Sequence, residues 1–350
     1  MALKEICGCI HLHTTFSDGD CDYPTLIKTA AEAGLDYVCV TDHMNLKGLS
    51  EGYQGLREGV FVIVGYEHND ERNLNHYLAF GTNETAKNMT DPQKYINQIK
   101  KMGGIGFLAH PAEKRDYIRK LPPYPWTRWD VKGFDGIELW NQMSDWMEQL
   151  RGWQSVTRLF YPRRFLGNVD QELLNRWDEL NRVGFISGIG GVDAHSRKLF
   201  SIGPFCYRVF PIKVELKGIR THLFVEKPAC GDETKMREAV LRALKDGKGF
   251  ISNFRLGDAR GTQIFLQNEN GRLEYPGYPS AAINPPSTIN VNLPHKAKIR
   301  LLRNGSTIQE IFTNKAQWPI AKPGVYRIEV YKRSSAWIYS NPFPVGKYPI

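Results

Sequence analysis

The chain has 350 residues, enough for one large core or two domains. It carries 46 Lys/Arg against 37 Asp/Glu, a net charge of +9, with 41% hydrophobic residues; this balance excludes a disordered or collagen-like chain. No apolar run approaches the roughly 20 residues of a membrane-spanning helix, so no membrane partner is expected. Met1-Ala2-Leu3-Lys4 leads straight into the first apolar run, so a cleaved signal peptide is not expected either. The six cysteines form no CxxC pair, which points to a reduced, cytoplasmic setting. From residue 254 onward 13 Lys/Arg face 5 Asp/Glu. Such a basic surface attracts phosphates or nucleic acid, or is simply a solvated face.

Residues 5–10 read as a strand that runs into His11-Leu12-His13-Thr14-Thr15-Phe16-Ser17-Asp18-Gly19. Residues two apart on a strand share a face, so His11 and His13 aim into one place. Imidazole is a preferred ligand for zinc, iron and manganese, and Asp18 can add an oxygen from the loop. An isolated His-x-His is more often an ordinary pair of histidines; its recurrence down the chain is what matters here. Asp22-Tyr23-Pro24 predicts a helix start and Gly34 its end. Residues 35–40 predict a buried strand ending in Thr41-Asp42-His43, and 60–64 another ending in Gly65-Tyr66-Glu67. Residues 76–80 predict a strand that starts at His76. Asp91-Pro92 caps a helix running to Gly103, and 105–109 ends in His110-Pro111. Residues 136–140 end at Asn141. Helical patterns follow at about 144–160 and 170–183, and 185–192 ends in Asp193-Ala194-His195.

Strands alternating with helices imply a parallel α/β arrangement. The polar residues gather at the ends of many successive strands. That favours a βα barrel over an open doubly wound sheet, where fewer strands contribute. After His195 the pattern loosens, apart from a helix at 232–244. From 254 short alternating runs appear, and Asn304-Gly305 between two of them is a strong hairpin signal. Residues 254–350 are therefore expected to form a small C-terminal β-sandwich domain behind a domain of residues 1–253.

Six of the nine histidines and three carboxylates occupy these strand ends: His11, His13, His43, His76, His110 and His195, with Asp18, Glu67 and Asp193. Packed into one mouth, the nine groups would desolvate and repel one another without cations. Nine donors exceed the need of one tetrahedral ion, so two or three divalent ions (zinc, manganese or iron) are expected. The alternative for each residue singly is a local structural role, such as Asp42 capping a turn.

His-Leu-His-Thr-Thr-Phe-Ser-Asp-Gly, Thr-Asp-His, Gly-Tyr-Glu, Ala-His-Pro and Gly-Val-Asp-Ala-His together resemble the motifs of the PHP superfamily, named for polymerase and histidinol phosphatase. The resemblance covers about residues 5–253. It implies a distorted (β/α)7 barrel, a trinuclear metal site and phosphoester hydrolysis. By that resemblance His11, His13, Glu67 and Asp193 hold one ion; Glu67, His76 and His110 a second; Asp18, His43 and His195 a third. His68 remains an alternative to His76. In part of the family a histidine supplies the ligand after the first His-x-His, whereas here the nearest candidate is Asp18. Asp18, Glu67 and Asp193 are the expected catalytic carboxylates. The implied activity is that of a phosphoesterase acting on a phosphorylated small molecule, a nucleotide or an oligonucleotide end. Two rivals stay open: hydrolysis of a carboxylic ester, amide or carbamate with the same ions, and an ion-free scaffold whose tail binds a partner.

Ser17, Asn141 and Arg197 are candidate substrate contacts, with Thr41 and Ser196 beside them; the alternative for each is a turn role. Lys114, Arg115 and Arg119 could reach a phosphate, although a solvated helix face explains them as well. Trp126, Trp129, Trp140, Trp146 and Trp153 suit core packing by default and a base-stacking rim otherwise. His222 and His295 carry no expected role. The oligomeric state is not legible.

Overall fold

The computed structural model describes residues 3–346, apart from 116, 118–121, 151–154, 161–165, 203–204, 227–231 and 280–281. Arg119, Trp153 and Cys230 lie outside the described residues. The first part runs β1 (Lys4–Leu12), α1 (Tyr23–Glu32), β2 (Tyr37–Val40), α2 (Lys47–Ser50), β3 (Gly55–Arg57), β4 (Val60–His68), β5 (Tyr77–Phe80), α3 (Pro92–Lys101), β6 (Ile105–Leu108), β7 (Gly136–Asn141), α4 (Gln142–Glu148), α5 (Ser155–Phe160), α6 (Gln171–Val183) and β8 (Ser187–Gly191). The expected helix at 144–160 is thus two helices, with residues between them outside the description. A ribbon of β9 (Arg197–Ile202) and β10 (Phe205–Val209) follows, then α7 (Ile212–Glu215), β11 (Ile219–Val225), α8 (Glu233–Lys245) and β12 (Gly249–Asn253).

Asp and Asn start the helices. Asp22, Asp91, Asn141, Asp170 and Asp232 each accept a backbone N–H from the first turn of α1, α3, α4, α6 and α8. Each side chain satisfies a donor that the helix cannot. α1 returns the chain from β1 to β2, and α4, α5 and α6 lie between β7 and β8; β1, β2 and β4 pair in parallel, as do β6, β7 and β8. Between the two sets β5 runs antiparallel to both β4 and β6. The succession then meets its own start: Val192 N–H donates to Ile10 C=O at 2.8 Å, and His13 N–H to Ala194 C=O at 2.9 Å. β1, β2, β4 and β6 are buried along most of their length, which is why they read as continuous apolar runs rather than alternating ones.

Among the described residues of the C-terminal part the regular elements are strands, apart from one 3-10 turn at Phe254–Leu256: β13 (Gln263–Asn268), β14 (Leu273–Glu274), β15 (Ser287–Arg303), β16 (Ser306–Ile320), β17 (Gly324–Lys332), β18 (Ser335–Ser340) and β19 (Phe343–Val345). The molecule is a mixed α/β fold, mostly sheet. The runs expected at 289–293 and 298–302 are one 17-residue strand, β15. Asn304, at φ 52°, and Gly305, at φ 85°, make the hairpin to β16, as expected of a two-residue turn with both centres at positive φ. The two parts share hydrogen bonds. β18 pairs antiparallel with β12, and the Asn341 side chain exchanges two hydrogen bonds with the Gly188 backbone, at 2.7 and 2.9 Å. No helix among the described residues is long and apolar enough to cross a membrane.

Candidate metal centre

The strand order brings the nine candidate residues to one face. His11 is the penultimate residue of β1, and His13 lies one residue beyond the strand. His43 follows β2, His110 follows β6, and Asp193 and His195 follow β8. β5 runs the other way, so His76, directly before its start, reaches the same face. Glu67, 1% exposed within β4, stands at the centre. Its Oε2 lies 3.1 Å from His11 Nε2, 3.2 Å from His13 Nε2 and 3.5 Å from His43 Nδ1. Its Oε1 lies 2.8 Å from His76 Nδ1 and 3.0 Å from His110 Nε2. Asp193 Oδ1 is 3.3 to 3.5 Å from His11, His13 and His195. Asp18 Oδ1 is 3.3 Å from His195 Nε2 and 3.7 Å from both His13 and His43.

These donors fall into four groups whose atoms lie within 4.8 Å of one another: His13, Asp18, His43 and His195; His11, His13 and Asp193; His11, Glu67 and His110; His43, Glu67 and His76. The geometry thus brings together all nine expected residues. It differs in detail from the sets that the resemblance implies, since His13 also joins the Asp18 group and His43 also joins the His76 group. His68 stands apart. Its neighbour Glu67 faces the cluster, so His68 points to the other side of β4 and packs on Tyr95, ring centroids 4.4 Å apart.

The residues suit divalent cations. His13 is fully buried, yet neither ring nitrogen has a hydrogen-bond partner, although two carboxylate oxygens lie 3.2 and 3.3 Å from Nε2. Such spacing without hydrogen-bond alignment is what ligands of a shared ion show, about 3.4 Å apart in a tetrahedron with bonds of about 2.1 Å. Burial pushes the His11 imidazole down, but Glu138, Asp193 and Glu67 outweigh it and hold its pKa well above the ordinary value. His13 and His110 are raised to about 9 against the same burial, chiefly by Asp193 and Glu67 for His13 and by Glu113 and Glu67 for His110. His43 goes the other way, down to about 4, because burial wins there. Burial raises Glu67 and Asp193, yet the imidazoles, His11 foremost, hold both carboxylates well below their usual range. The pocket therefore demands positive charge, which bound cations meet. Backbone strain collects here too: His11, His110 and Asp193 sit at φ 67°, 27° and 55°.

Glu138, on β7, was not among the expected site residues. Its Oε1 lies 2.8 Å from His11 Nδ1, and its Oε2 accepts His110 N–H at 2.7 Å and the Asn141 amide at 3.0 Å. It orients two candidate ligands from behind, the usual task of a carboxylate beside a metal-binding histidine. The available signal was a lone acid inside an apolar strand, which needs a partner when buried. A side chain at Gly191 would meet Glu138 Oε1 at 1.6 Å, so this glycine makes room for the carboxylate.

Of the expected substrate contacts, Arg197 is half exposed and donates to Asp18 at 2.7 Å, at the rim. Ser17 donates to Asp42 at 2.7 Å; Asp42 also takes Thr14 N–H and Oγ, so it shapes the loop that carries Asp18. Asn141 is buried, caps α4 through its oxygen, and donates to Glu138 and Asp193. It reaches the cluster from inside. Lys114 is held by Asp170 and Glu172, and Arg115 by Glu113. Trp126, Trp140 and Trp146 are buried core residues, and Arg176 covers Trp129 at 4.5 Å. His222 lies in a buried network with Glu5, Ser252 and Cys7, away from the cluster.

Residues 10–195 match the PHP domain family, more than half of the chain. The chain belongs to that family. MJ1587 of Methanocaldococcus jannaschii, a protein named as uncharacterized, is 26% identical over an alignment of 114 residues that covers 29% of this chain. The chain spans 66% of the length of that curated relative. Among solved structures, a two-domain Bacteroides vulgatus protein described as containing a predicted PHP-like metal-dependent phosphoesterase is 14% identical, at a TM-score of 0.48, over 97% of this chain and 96% of that one. PsfC of Pseudomonas syringae is 13% identical, at a TM-score of 0.42, over 69% of this chain and 90% of that one. An amidohydrolase of Chromobacterium violaceum is 14% identical, at 0.35, over 54% of this chain and 87% of that one.

Proposed function

We propose that this chain is a metal-dependent phosphoesterase that cleaves a phosphomonoester, a nucleotide or an oligonucleotide end, with two or three divalent ions (zinc, manganese or iron) as its cofactor. The observation that carries the reading is the convergence of six imidazoles and three carboxylates on and around Glu67. His11, His13, His43, His76, His110 and His195 would hold the ions with Asp18, Glu67 and Asp193. The ions would supply Lewis acidity, neutralising a phosphoryl group and activating water. The protein's part is placement. Glu67 offers its two oxygens to different sets of imidazoles, so it suits a carboxylate shared between ions. Glu138 and Asn141 fix His11 and Asp193 before substrate arrives. Arg197 has a planar fork of donors that suits phosphate oxygens, and it stands where the site is open.

The closed succession of β1, β2, β4, β5, β6, β7 and β8 supports reading residues 1–253 as the distorted (β/α)7 barrel. The predominance of strands among the described residues of the remainder supports a β-sandwich domain at 254–350. A cytoplasmic setting belongs to the same reading and rests on the cysteine spacing.

Elemental analysis after chelator-free purification should find two or three ions per chain. Less than one ion per chain would overturn the proposal. Assay of an aryl phosphate beside an aryl carboxylic ester should show turnover of the phosphate; hydrolysis of the ester alone would favour the rival chemistry.

The ion beside Asp18 should be the weakest held. Asp18 and His43 side chains are 39% and 27% exposed, whereas those of Glu67 and His110 are 1% and 4% exposed. A carboxylate oxygen is also harder than the imidazole it replaces, which shifts preference toward manganese or iron(II). Added manganese should therefore raise the rate of the as-purified enzyme, and Asp18→Ala should abolish that response. A variant that binds as many ions and responds as the parent does would show that Asp18 is no ligand.

A further inference from the structure

We propose that residues 122–127 form a strap that positions His76 and His110, with Tyr124 as the positioning residue for His76; this rests on the metal-centre reading above. The strap is tied to the neighbours of both histidines. Tyr124 N–H donates to Glu113 Oε2 at 2.6 Å. Trp126 N–H donates to Pro111 C=O at 3.2 Å. Thr127 donates through N–H and Oγ1 to Asn75 Oδ1 at 2.7 and 2.9 Å. Residues 111 and 113 belong to the turn after His110, and Asn75 directly precedes His76.

The anchors are themselves fixed. Glu113 is 6% exposed; its other oxygen accepts Arg115 and Ser144, and its own N–H donates to His110 C=O at 3.3 Å. Asn75 is 4% exposed, donates to Asp70 at 2.9 Å, and accepts Tyr95 OH on its carbonyl at 2.6 Å. The strap therefore bridges the end of β6 and the start of β5, the two places that present His110 and His76 to the same oxygen of Glu67.

Tyr124 is needed because His76 lacks the usual support. A ligating histidine is normally oriented by a hydrogen bond at its second ring nitrogen. His11 has one, to Glu138. His76 turns Nδ1 to Glu67, and its Nε2 is buried without a hydrogen-bond partner. What holds the ring instead is the Tyr124 ring, stacked on it at 4.9 Å and 16°. Stacking is a property of the ring and not of its hydroxyl, so phenylalanine should serve as well.

The test is the rate at which the metal-loaded protein gives up its ions to excess chelator, followed by a chromophoric chelator and by elemental analysis of the recovered protein. Tyr124→Phe should release metal as the parent does. Tyr124→Ala should release one ion about tenfold faster, the scale of losing an outer partner of a ligand, with the others leaving at the parental rate and thermal melting unchanged. Glu113→Gln should move the same ion in the same direction by a smaller factor. Parental release from Tyr124→Ala would overturn the proposal. So would equal acceleration in the phenylalanine and alanine variants, or faster loss of every ion together with a lowered melting temperature. These outcomes bear on the strap alone. A parent that holds no metal would instead overturn the metal-centre reading, and the strap's role with it.

Discussion

Glu67→Gln and Asp193→Asn should each lower turnover at saturating metal by at least about a hundredfold while leaving the fold intact. Both changes keep the shape of the side chain and remove its charge. Glu67 is 1% exposed and faces five imidazoles, so the lost charge cannot be replaced by solvent. The amide would also place N–H donors against nitrogens that should bind cations. Asp193 lies within 3.5 Å of His11, His13 and His195, so its loss weakens contact with the groups on both sides. Steady-state rates over a metal titration, with circular dichroism as the control for folding, check this. Near-parental rates in either variant would contradict the assignment.

Arg327→Leu should cost about 3–5 kcal/mol of stability, the usual penalty for breaking a buried ion pair from one side. Arg327, on β17, is 1% exposed. It donates through Nε and Nη2 to the two oxygens of Asp178 on α6, at 2.7 and 2.8 Å, and through Nη1 to Glu329. Leucine would leave both carboxylates buried, with Tyr331 OH still donating to Glu329. The double change Arg327→Leu with Asp178→Leu should be milder than the single one, because it removes one of the two stranded charges. Denaturant unfolding followed by two probes measures both. A cost below about 1 kcal/mol for the single change would show that the bidentate pair does not couple α6 to the C-terminal strands. Metal content should stay parental, since the pair lies away from the cluster.

Much of the site was legible because its residues are tied to local rules. A strand that ends in His-x-His aims both rings one way, and a βα succession carries its strand ends to one face. Capping aspartates and the Asn-Gly hairpin were legible for the same reason: each is settled within a few residues of chain. What was not legible depended on how far a strand runs and what lies across from it. β4 continues through His68, and only that length makes Glu67 and His68 face opposite ways; so His76, nine residues on, joins the cluster. Glu138 looked like one acid in an apolar strand until β1 and β6 brought His11 and His110 to it. The strap joins residues 122–127 to positions 75, 111 and 113, and no periodicity in that stretch announces its partners.

The sequence by itself determined which side chains gather around Glu67 and the order in which the strands present them, because those depend on backbone alternation and turn residues. Only the tertiary structure decided how the donors divide into groups, which histidine rings are braced by a carboxylate and which by an aromatic ring, and how the C-terminal strands join the rest through β12 and β18. Those are contacts between segments far apart in the chain, and their free energy is realised only when the whole fold has formed.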